Sequence, residues 1–219
     1  MSSQPYQAIE TRLSTARLAP YVPACQGDLD DTLALYAWNL RVSAAFFVDL
    51  STVEVALRNS IDAILRDKYQ KRAGSPPWYD QVSLSKEGSQ ELDKALKRAE
   101  EQVGGTPSHD DVITQLTFGF WKSLLNKRYQ ASLWPVIRPA FLADPSRTSL
   151  TRDYVSDLVG QMNFLRNRIA HHEPVFSRDL VRQSTLLLEV LGLLCQDTRD
   201  WVAGQSQIPA VLSERPHLR

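Results

Sequence analysis

The residues best suited to chemistry lie in segment 165–174, LRNRIAHHEP. On a helix of about 100° per residue, Asn167 and His171 share a face one turn apart, and Arg166 lies at the edge of the buried stripe. A histidine can take or give a proton near neutral pH. A guanidinium can hold two phosphate oxygens and offset the charge that develops on them. The segment therefore predicts a site that acts on a phosphodiester.

The same residues have a simpler interpretation. A polar helix end is ordinarily solvated, and its arginine then pairs with a nearby carboxylate such as Asp153 or Glu173. An Arg five to seven residues before a His is also expected about once by chance in a chain of this composition. The spacing alone therefore does not establish a site.

Three separated motifs resemble those of a known family. They are residues 53–59 (VEVALRN), 119–129 (GFWKSLLNKRY) and 166–176 (RNRIAHHEPVF). Arg166, Asn167 and His171 resemble the R-x4-6-H motif of the HEPN superfamily, in which a polar residue usually follows the Arg. Taken together, the motifs resemble the Abi-like proteins of bacterial abortive-infection systems, and they reach from about residue 30 to residue 195.

The resemblance implies an all-α bundle that pairs two motif helices across a dimer interface, and in many relatives a metal-independent endoribonuclease. Arg166 and His171 are then the expected catalytic residues, with Asn167 as the intervening polar residue. His172 also satisfies the motif spacing. We favour His171, because it shares a face with Asn167 whereas His172 points about 100° away.

The reaction we expect is cleavage of single-stranded RNA by attack of its own 2′-OH on the adjacent phosphorus, which leaves a 2′,3′-cyclic phosphate and a 5′-OH. His171 would act as general acid or base, Arg166 would stabilise the phosphorane, and Asn167 would orient the ring or the phosphate. The scheme needs no cofactor. No metal site is predicted either, because adjacent histidines diverge on a helix and no H-E-x-x-H or cysteine pair occurs.

Further residues are expected around this site. Those that would support the catalytic residues are Glu54, Arg58, Asn59, His172 and Glu173. Glu54 and Arg58 are four apart on one predicted helix, so a surface ion pair is the alternative. Those that would contact RNA in a neutral chain are Lys122, Lys127, Arg128 and Arg168, with a solvated basic face as the alternative. The aromatic residues of segment 118–121 are predicted to be core.

The elements that position these residues are predicted to be helical almost throughout. The chain has nine glycines and no alternating apolar pattern flanked by hairpin turns. Ser51 and Glu54 are predicted to form a capping box at the start of a helix. The predicted helices are at about 7–18, 28–48, 51–73, 86–103, 108–125, 151–172 and 178–202. Prolines 135, 139 and 145 are predicted to break segment 126–150 into short pieces. The expected fold class is all-α with one HEPN-like helical domain at 28–203, an N-terminal extension with a short helix at 1–27 and a C-terminal tail at 204–219.

The composition limits the function classes. Apolar residues make up 43% and charged residues 23%, which is typical of a globular protein and excludes disordered and disulfide-scaffold classes. The 25 basic and 25 acidic residues give no net charge, so no overall field attracts nucleic acid or lipid. Two cysteines without metal spacing, no signal-peptide pattern and no apolar run of membrane length predict a cytoplasmic protein.

The expected partners are an RNA substrate, a second copy of the chain that completes a composite active site, and an antitoxin or regulatory protein that restrains activity. The expected role is phage defence or that of a toxin. The alternative is a catalytically inactive helical module that binds RNA or nucleotide, or that only scaffolds a partner. A DNA-binding helical protein is disfavoured, because no helix-turn-helix pattern occurs.

Overall fold

The structure is a computed structural model that describes residues 3–72, 74–143 and 149–218, with side chains from residue 7 onward. These residues form helices and no strand, so the predicted all-α single-domain fold is confirmed. The α-helices are α1 (Ser3–Leu13), α2 (Thr15–Leu18), α3 (Leu29–Tyr69), α4 (Trp78–Gln81), α5 (Lys86–Val103), α6 (His109–Gln115), α7 (Phe118–Ser123), α8 (Trp134–Ile137), α9 (Arg152–Ala170), α10 (Leu180–Leu194), α11 (Gln196–Gln205) and α12 (Ile208–Ser213). Short 3-10 helices lie at Pro23–Cys25, Lys127–Tyr129 and Arg138–Phe141.

The centre of the fold is α3, a helix of 41 residues that extends about 60 Å at 1.5 Å per residue. Its neighbours include α7, α8, α9, α10 and α12. The side chains that face them recur at helical spacing, and all are buried: Leu35, Trp38, Val42, Phe46, Leu50, Val53, Leu57, Ile61 and Leu65. Because this stripe runs almost the whole length of α3, helices from both halves of the chain pack on it.

The predicted break between two helices near residue 50 is wrong. The backbone is helical through the whole of Leu29–Tyr69, and Ser51 is not a cap, because its Oγ donates to the carbonyl of Phe47 at 2.7 Å. Such a bond from a serine to the preceding turn is typical of helix interiors. Glycine and proline are absent from Leu29–Tyr69, so burial of the continuous apolar stripe determines the backbone there.

Three other predicted helices are shorter than expected. The first is divided at Ser14, whose φ is 76°. The segment from residue 108 is divided before α7, where the Thr117 side chain accepts a hydrogen bond from Phe120 N at 3.3 Å and caps the new helix. The helix predicted at 178–202 is divided by the extended backbone of Cys195. A periodic apolar pattern does not reveal these breaks, because the apolar residues keep helical spacing across them.

Two predicted helices, α5 and α9, agree with the structure to within two residues at each end. The bounds of α5 are as predicted, with Ser85 as N-cap and Gly104 in the left-handed conformation after its end. The predicted breaks at Pro135 and Pro139 fall in α8 and the following 3-10 helix, whereas Pro145 lies outside the described residues.

The segments on both sides of the predicted helical domain pack on its core. Leu18, Tyr21 and Cys25 in segment 1–27 are buried. In segment 204–219, Ile208 of α12 is buried, and the indole nitrogen of Trp38 donates to the carbonyl of Val211 at 2.7 Å. In the part of the chain that the structure describes, no helix has the length and apolar character that a membrane span requires.

The far end of α3 is fixed by one buried carboxylate. Oδ1 of Asp62 accepts hydrogen bonds from Trp78 Nε1 at 2.7 Å and, with that nitrogen protonated, from His109 Nε2 at 2.8 Å. The His109 ring also stacks on Tyr79, with centroids 5.5 Å apart. These contacts join α3 to α4 and α6, and they account for the burial of a polar group in this part of the core.

A second buried carboxylate gives a test of the fold. Asp49 of α3 is 4% exposed, and Ser206 Oγ donates to its Oδ2 at 2.5 Å. Burial raises the pKa of Asp49 from its ordinary value of 3.8, and the hydrogen bond from Ser206 lowers it by less. The folded state therefore favours the neutral acid, and the free energy of unfolding falls as the pH rises from 3.8 through the raised pKa.

Asp49→Asn should accordingly unfold at a higher temperature than the wild type at neutral pH, since its amide oxygen still accepts from Ser206. The difference should disappear below pH 3.8, where both states of the wild type are protonated. Thermal unfolding followed by circular dichroism across pH measures this. A variant less stable than the wild type at neutral pH would show that the carboxylate stabilises the fold in its charged form.

Candidate functional site

The motif residues lie at the carboxyl end of α9. The helix begins at its N-cap Thr151 and ends at Ala170, close to the predicted bounds. It ends because His172 adopts a left-handed conformation, with φ of 55°, and Glu173 N then donates to the carbonyl of Arg168 at 2.8 Å. Asn167 is therefore in the last turn, directly after Arg166, and His171 occupies the C-cap position, where its backbone nitrogen donates to the carbonyl of Asn167 at 3.0 Å.

Arg166 forms an ion pair with α3. Its Nε lies 3.3 Å from Oε2 of Glu54, and both side chains are only partly exposed, at 31% and 24%. This contact does not meet hydrogen-bond geometry, and Nε of Arg166 has no hydrogen-bond partner among the described residues. Nη1 of Arg166 lies 3.5 Å from Oδ1 of Asn167, which makes that bond long. The contact of Glu54 is thus with Nε, and the terminal nitrogens of Arg166 keep the capacity to donate to a ligand.

The simpler interpretation of Arg166 named the wrong partners. Asp153 forms an ion pair with Arg152, and Glu173 forms one with Arg168 at 3.0 Å. The alternative pair within one helix, Glu54 with Arg58, is also replaced by the pair between α3 and α9. Sequence spacing could not find this contact, because its two residues are more than a hundred positions apart.

His171 and Asn167 are exposed on the outward face of α9, as the helical wheel predicted. Among the described residues, no hydrogen bond or ion pair involves the His171 ring, so its two nitrogens face solvent. His172 is exposed as well, but its backbone is used structurally: its carbonyl accepts a hydrogen bond from Nη1 of Arg17 at 2.5 Å. The structure therefore distinguishes the two histidines by backbone conformation and by contacts.

Arg58 and Asn59 lie on α3 at the edge of another cleft. Nε of Arg58 donates to Oδ1 of Asn59 at 3.1 Å, and both residues line a cleft of about 470 Å³ between α3 and α6. Within the described chain, neither forms a hydrogen bond or ion pair with Arg166, Asn167 or His171. Of the three α3 residues expected around the site, only Glu54 contacts a predicted catalytic residue.

The loop after α9 is held by residues that the sequence analysis missed. Oδ1 of Asn39, in α3, accepts hydrogen bonds from the backbone nitrogens of Val175 and Phe176 at 2.8 and 3.0 Å. All three residues are buried. Nη2 of Arg168 donates to the carbonyl of Pro174 at 2.8 Å. In the sequence, Asn39 is a polar residue beside the apolar stripe of a predicted helix. That pattern does not predict which distant backbone groups Asn39 contacts.

The predicted RNA-contacting residues fall in two places. Lys122 lies beside α9, where it lines a cleft with Gly160, and Arg168 is on α9 itself. Lys127 and Arg128 are exposed in a 3-10 helix. The guanidinium of Arg128 lies 5.1 Å from the Tyr129 ring centroid, and the Tyr129 hydroxyl accepts from Ser85 N at the start of α5 at 2.8 Å. The structure therefore associates only Lys122 and Arg168 with the motif helix.

Segment 118–121 is part of the core, as predicted. Phe118, Phe120 and Trp121 are all no more than 3% exposed. Elsewhere in the described ranges, no group of three or more His, Cys, Asp or Glu side chains is placed to hold a metal ion.

No model of a protein family matches this chain, and no curated protein or solved structure is significantly similar to it. The geometry above is therefore the basis for the function.

The Asn39 contact gives a stability prediction. Asn39→Ala leaves two buried backbone donors without an acceptor, which should lower the free energy of unfolding by about 2–4 kcal/mol. Asn59→Ala, at an exposed position of the same helix, should change it by less than about 0.5 kcal/mol. Urea unfolding of both variants measures the difference. Equal stability of the two would show that the loop does not depend on Asn39.

Proposed function

We propose that this protein is a metal-independent endoribonuclease that cleaves single-stranded RNA. One observation carries the proposal: a partly buried Arg166, paired with Glu54 and next to the exposed Asn167, lies near the end of a helix whose C-cap is the exposed His171. An arginine, an amide and an imidazole near one helix end could supply a phosphate ligand and a proton-transfer group. The resemblance of the three motifs to Abi-like HEPN proteins supports the same activity.

In the proposed reaction the 2′-OH of one nucleotide attacks the adjacent phosphorus, and the bond to the 5′-oxygen of the next nucleotide breaks. His171 takes the 2′-OH proton or gives one to the leaving oxygen, a role that contributes about 10²–10⁴-fold. Arg166 donates to the phosphorane oxygens through its terminal nitrogens. Because the Glu54 contact is at Nε, it leaves both terminal nitrogens of Arg166 available to the phosphate.

The proposed active form is a homodimer with a composite site. Support comes from the outward face of α3, where Leu40, Phe47, Val48 and Val55 are between 43% and 66% exposed. Contiguous exposed apolar residues of this kind mark association surfaces. Val55 is adjacent to Glu54 in the chain, so a symmetric contact through this face would bring two Arg166 sites together and supply two histidines, one for each proton transfer.

The proposed setting is abortive infection or a toxin, with an antitoxin or regulatory partner that restrains the nuclease. The second candidate function is a helical module that binds RNA or nucleotide without cleaving it. The Glu54 carboxylate counts against catalysis at Arg166, because it offsets part of the positive charge with which Arg166 would stabilise the phosphorane.

His171→Ala should abolish cleavage and leave thermal stability nearly unchanged, because the side chain is exposed and its cap contact is made by the backbone. His172→Asn is the matched control, since asparagine tolerates the left-handed backbone of that position. It should cleave like the wild type. The measurement is incubation with total and synthetic RNA in EDTA, followed by mapping of the 3′ ends, which should carry cyclic phosphate.

Cleavage by His171→Ala at the wild-type rate would refute the assignment of this histidine. Intact RNA after incubation with the folded, dimeric wild type would favour the non-cleaving module.

The dimer proposal has its own test. Val48→Glu places a charge on the outward face of α3 and should convert the dimer to a monomer, with loss of cleavage. Val181→Glu on α10 is the matched control, because Val181 is equally exposed, at 66%, and lies outside the α3 face. It should remain a dimer. Light scattering after gel filtration measures both. A dimeric Val48→Glu protein, or a wild type that is monomeric at all concentrations, would contradict an α3 interface.

A further inference from the structure

A groove runs along α9 on the side of α10, and we call it the α9–α10 groove. It consists of two adjoining clefts of about 450 and 640 Å³ that share Gln161, Arg178 and Gln183. One cleft reaches Lys122 on α7, and the other reaches Arg182 on α10. Both volumes lie in the range of roughly 300–1,000 Å³ that is typical of ligand sites.

One of the two clefts is lined by an exposed aromatic ring. Phe164 of α9 is 48% exposed, and the guanidinium of Arg178 lies 4.5 Å from its ring centroid. The Arg168 guanidinium is 5.8 Å from the same centroid. Aromatic rings and guanidinium planes are the two surfaces on which proteins stack unpaired bases. Phe164 and Arg178 therefore form a composite stacking surface, which we call the Phe164 platform.

Positive charge is concentrated in this groove although the chain is neutral overall. Its cationic residues are Lys122, Arg168, Arg178 and Arg182, and its acidic residues are Asp157 and Asp179. Arg168 is paired with Glu173, and Asp179 caps α10 by accepting from Arg182 N at 2.9 Å. Burial, and then the neighbouring Arg168, lower the pKa of Arg178, and the charge of Glu173 raises it by less.

Two polar atoms of groove residues are unsatisfied. Oε1 of Gln183 and Nε of Arg168 are buried, and neither has a hydrogen-bond partner among the described residues. Unpaired buried polar atoms carry an energetic cost that a polar ligand can remove. An acceptor and a donor beside the Phe164 platform match the edge of a nucleobase or a phosphate better than they match an apolar ligand.

We propose that the α9–α10 groove binds the single-stranded RNA, with one base stacked on the Phe164 platform and the backbone phosphates held by Lys122, Arg178 and Arg182. This rests on the proposed function in that RNA is the ligand. Phe164 shares the outward face of α9 with Asn167 and His171, and it lies two turns, or about 10 Å, from His171 along the axis. A strand seated on the platform is thereby led to the candidate site.

The test separates binding from cleavage by using His171→Ala as the background protein. Binding of a short fluorescein-labelled single-stranded RNA in EDTA is measured by anisotropy at several salt concentrations. Adding Phe164→Ala should raise Kd about 5- to 100-fold, as expected for the loss of one stacked base. Adding Arg178→Ala should raise Kd and reduce the slope of log Kd against log salt by about 0.7, the value for one phosphate contact on a single strand.

Matched controls lie elsewhere on the surface. Trp201→Ala on α11 removes an aromatic residue that is 60% exposed, and Lys97→Ala on α5 removes a cation whose side chain is 77% exposed. Both should leave Kd unchanged. Circular dichroism melting confirms that each variant is folded.

The outcomes distinguish this proposal from the proposed function. Weaker binding by the two groove variants supports the groove even where the wild type cleaves no RNA. Groove variants with wild-type Kd, or a KM for cleavage unaffected by Phe164→Ala, overturn the groove while leaving the nuclease assignment intact. Equal affinity for a double-stranded probe, or no binding of any RNA, also overturns it.

Discussion

The constraint on which the rest of the structure depends is the unbroken apolar face of α3. Because this 41-residue helix contains neither glycine nor proline, its buried stripe continues past Ser51, where local capping residues predicted a new helix. A helix of this length extends about 60 Å. Asn39 of this helix holds the loop after α9, and Glu54 of the same helix contacts Arg166 in α9.

Some polar side chains near the end of α9 support the backbone there, and others keep hydrogen-bonding capacity for a ligand. Asn39, Arg17 and Arg168 satisfy the backbone of the turn that follows α9. Glu54 contacts Arg166 without meeting hydrogen-bond geometry. This arrangement combines a rigid turn with side chains that keep unused hydrogen-bonding capacity, which is the combination that a binding or catalytic surface needs.

Charge is distributed locally in a molecule that has none overall. The predicted basic residues do not form one patch: Arg128 stacks on Tyr129 by α5, whereas Lys122 and Arg168 border the groove along α9. Burial distinguishes the aromatic residues in the same way, because the FGFW segment is core and the isolated Phe164 is exposed. The aromatic residues that cluster in the sequence therefore pack in the core, whereas the single Phe164 is available at the surface.

The sequence by itself determined the helical class, the bounds of α5 and α9, the core role of residues 118–121 and the shared face of Asn167 and His171. These follow from periodicity, caps and proline positions, which act over one or two turns. Only the tertiary structure decided that α3 is continuous, that Glu54 pairs with Arg166, that Asn39 holds the turn and that Phe164 meets Arg178. Each of these joins residues distant in sequence or depends on what neighbouring helices bury, and local patterns contain no information about such contacts.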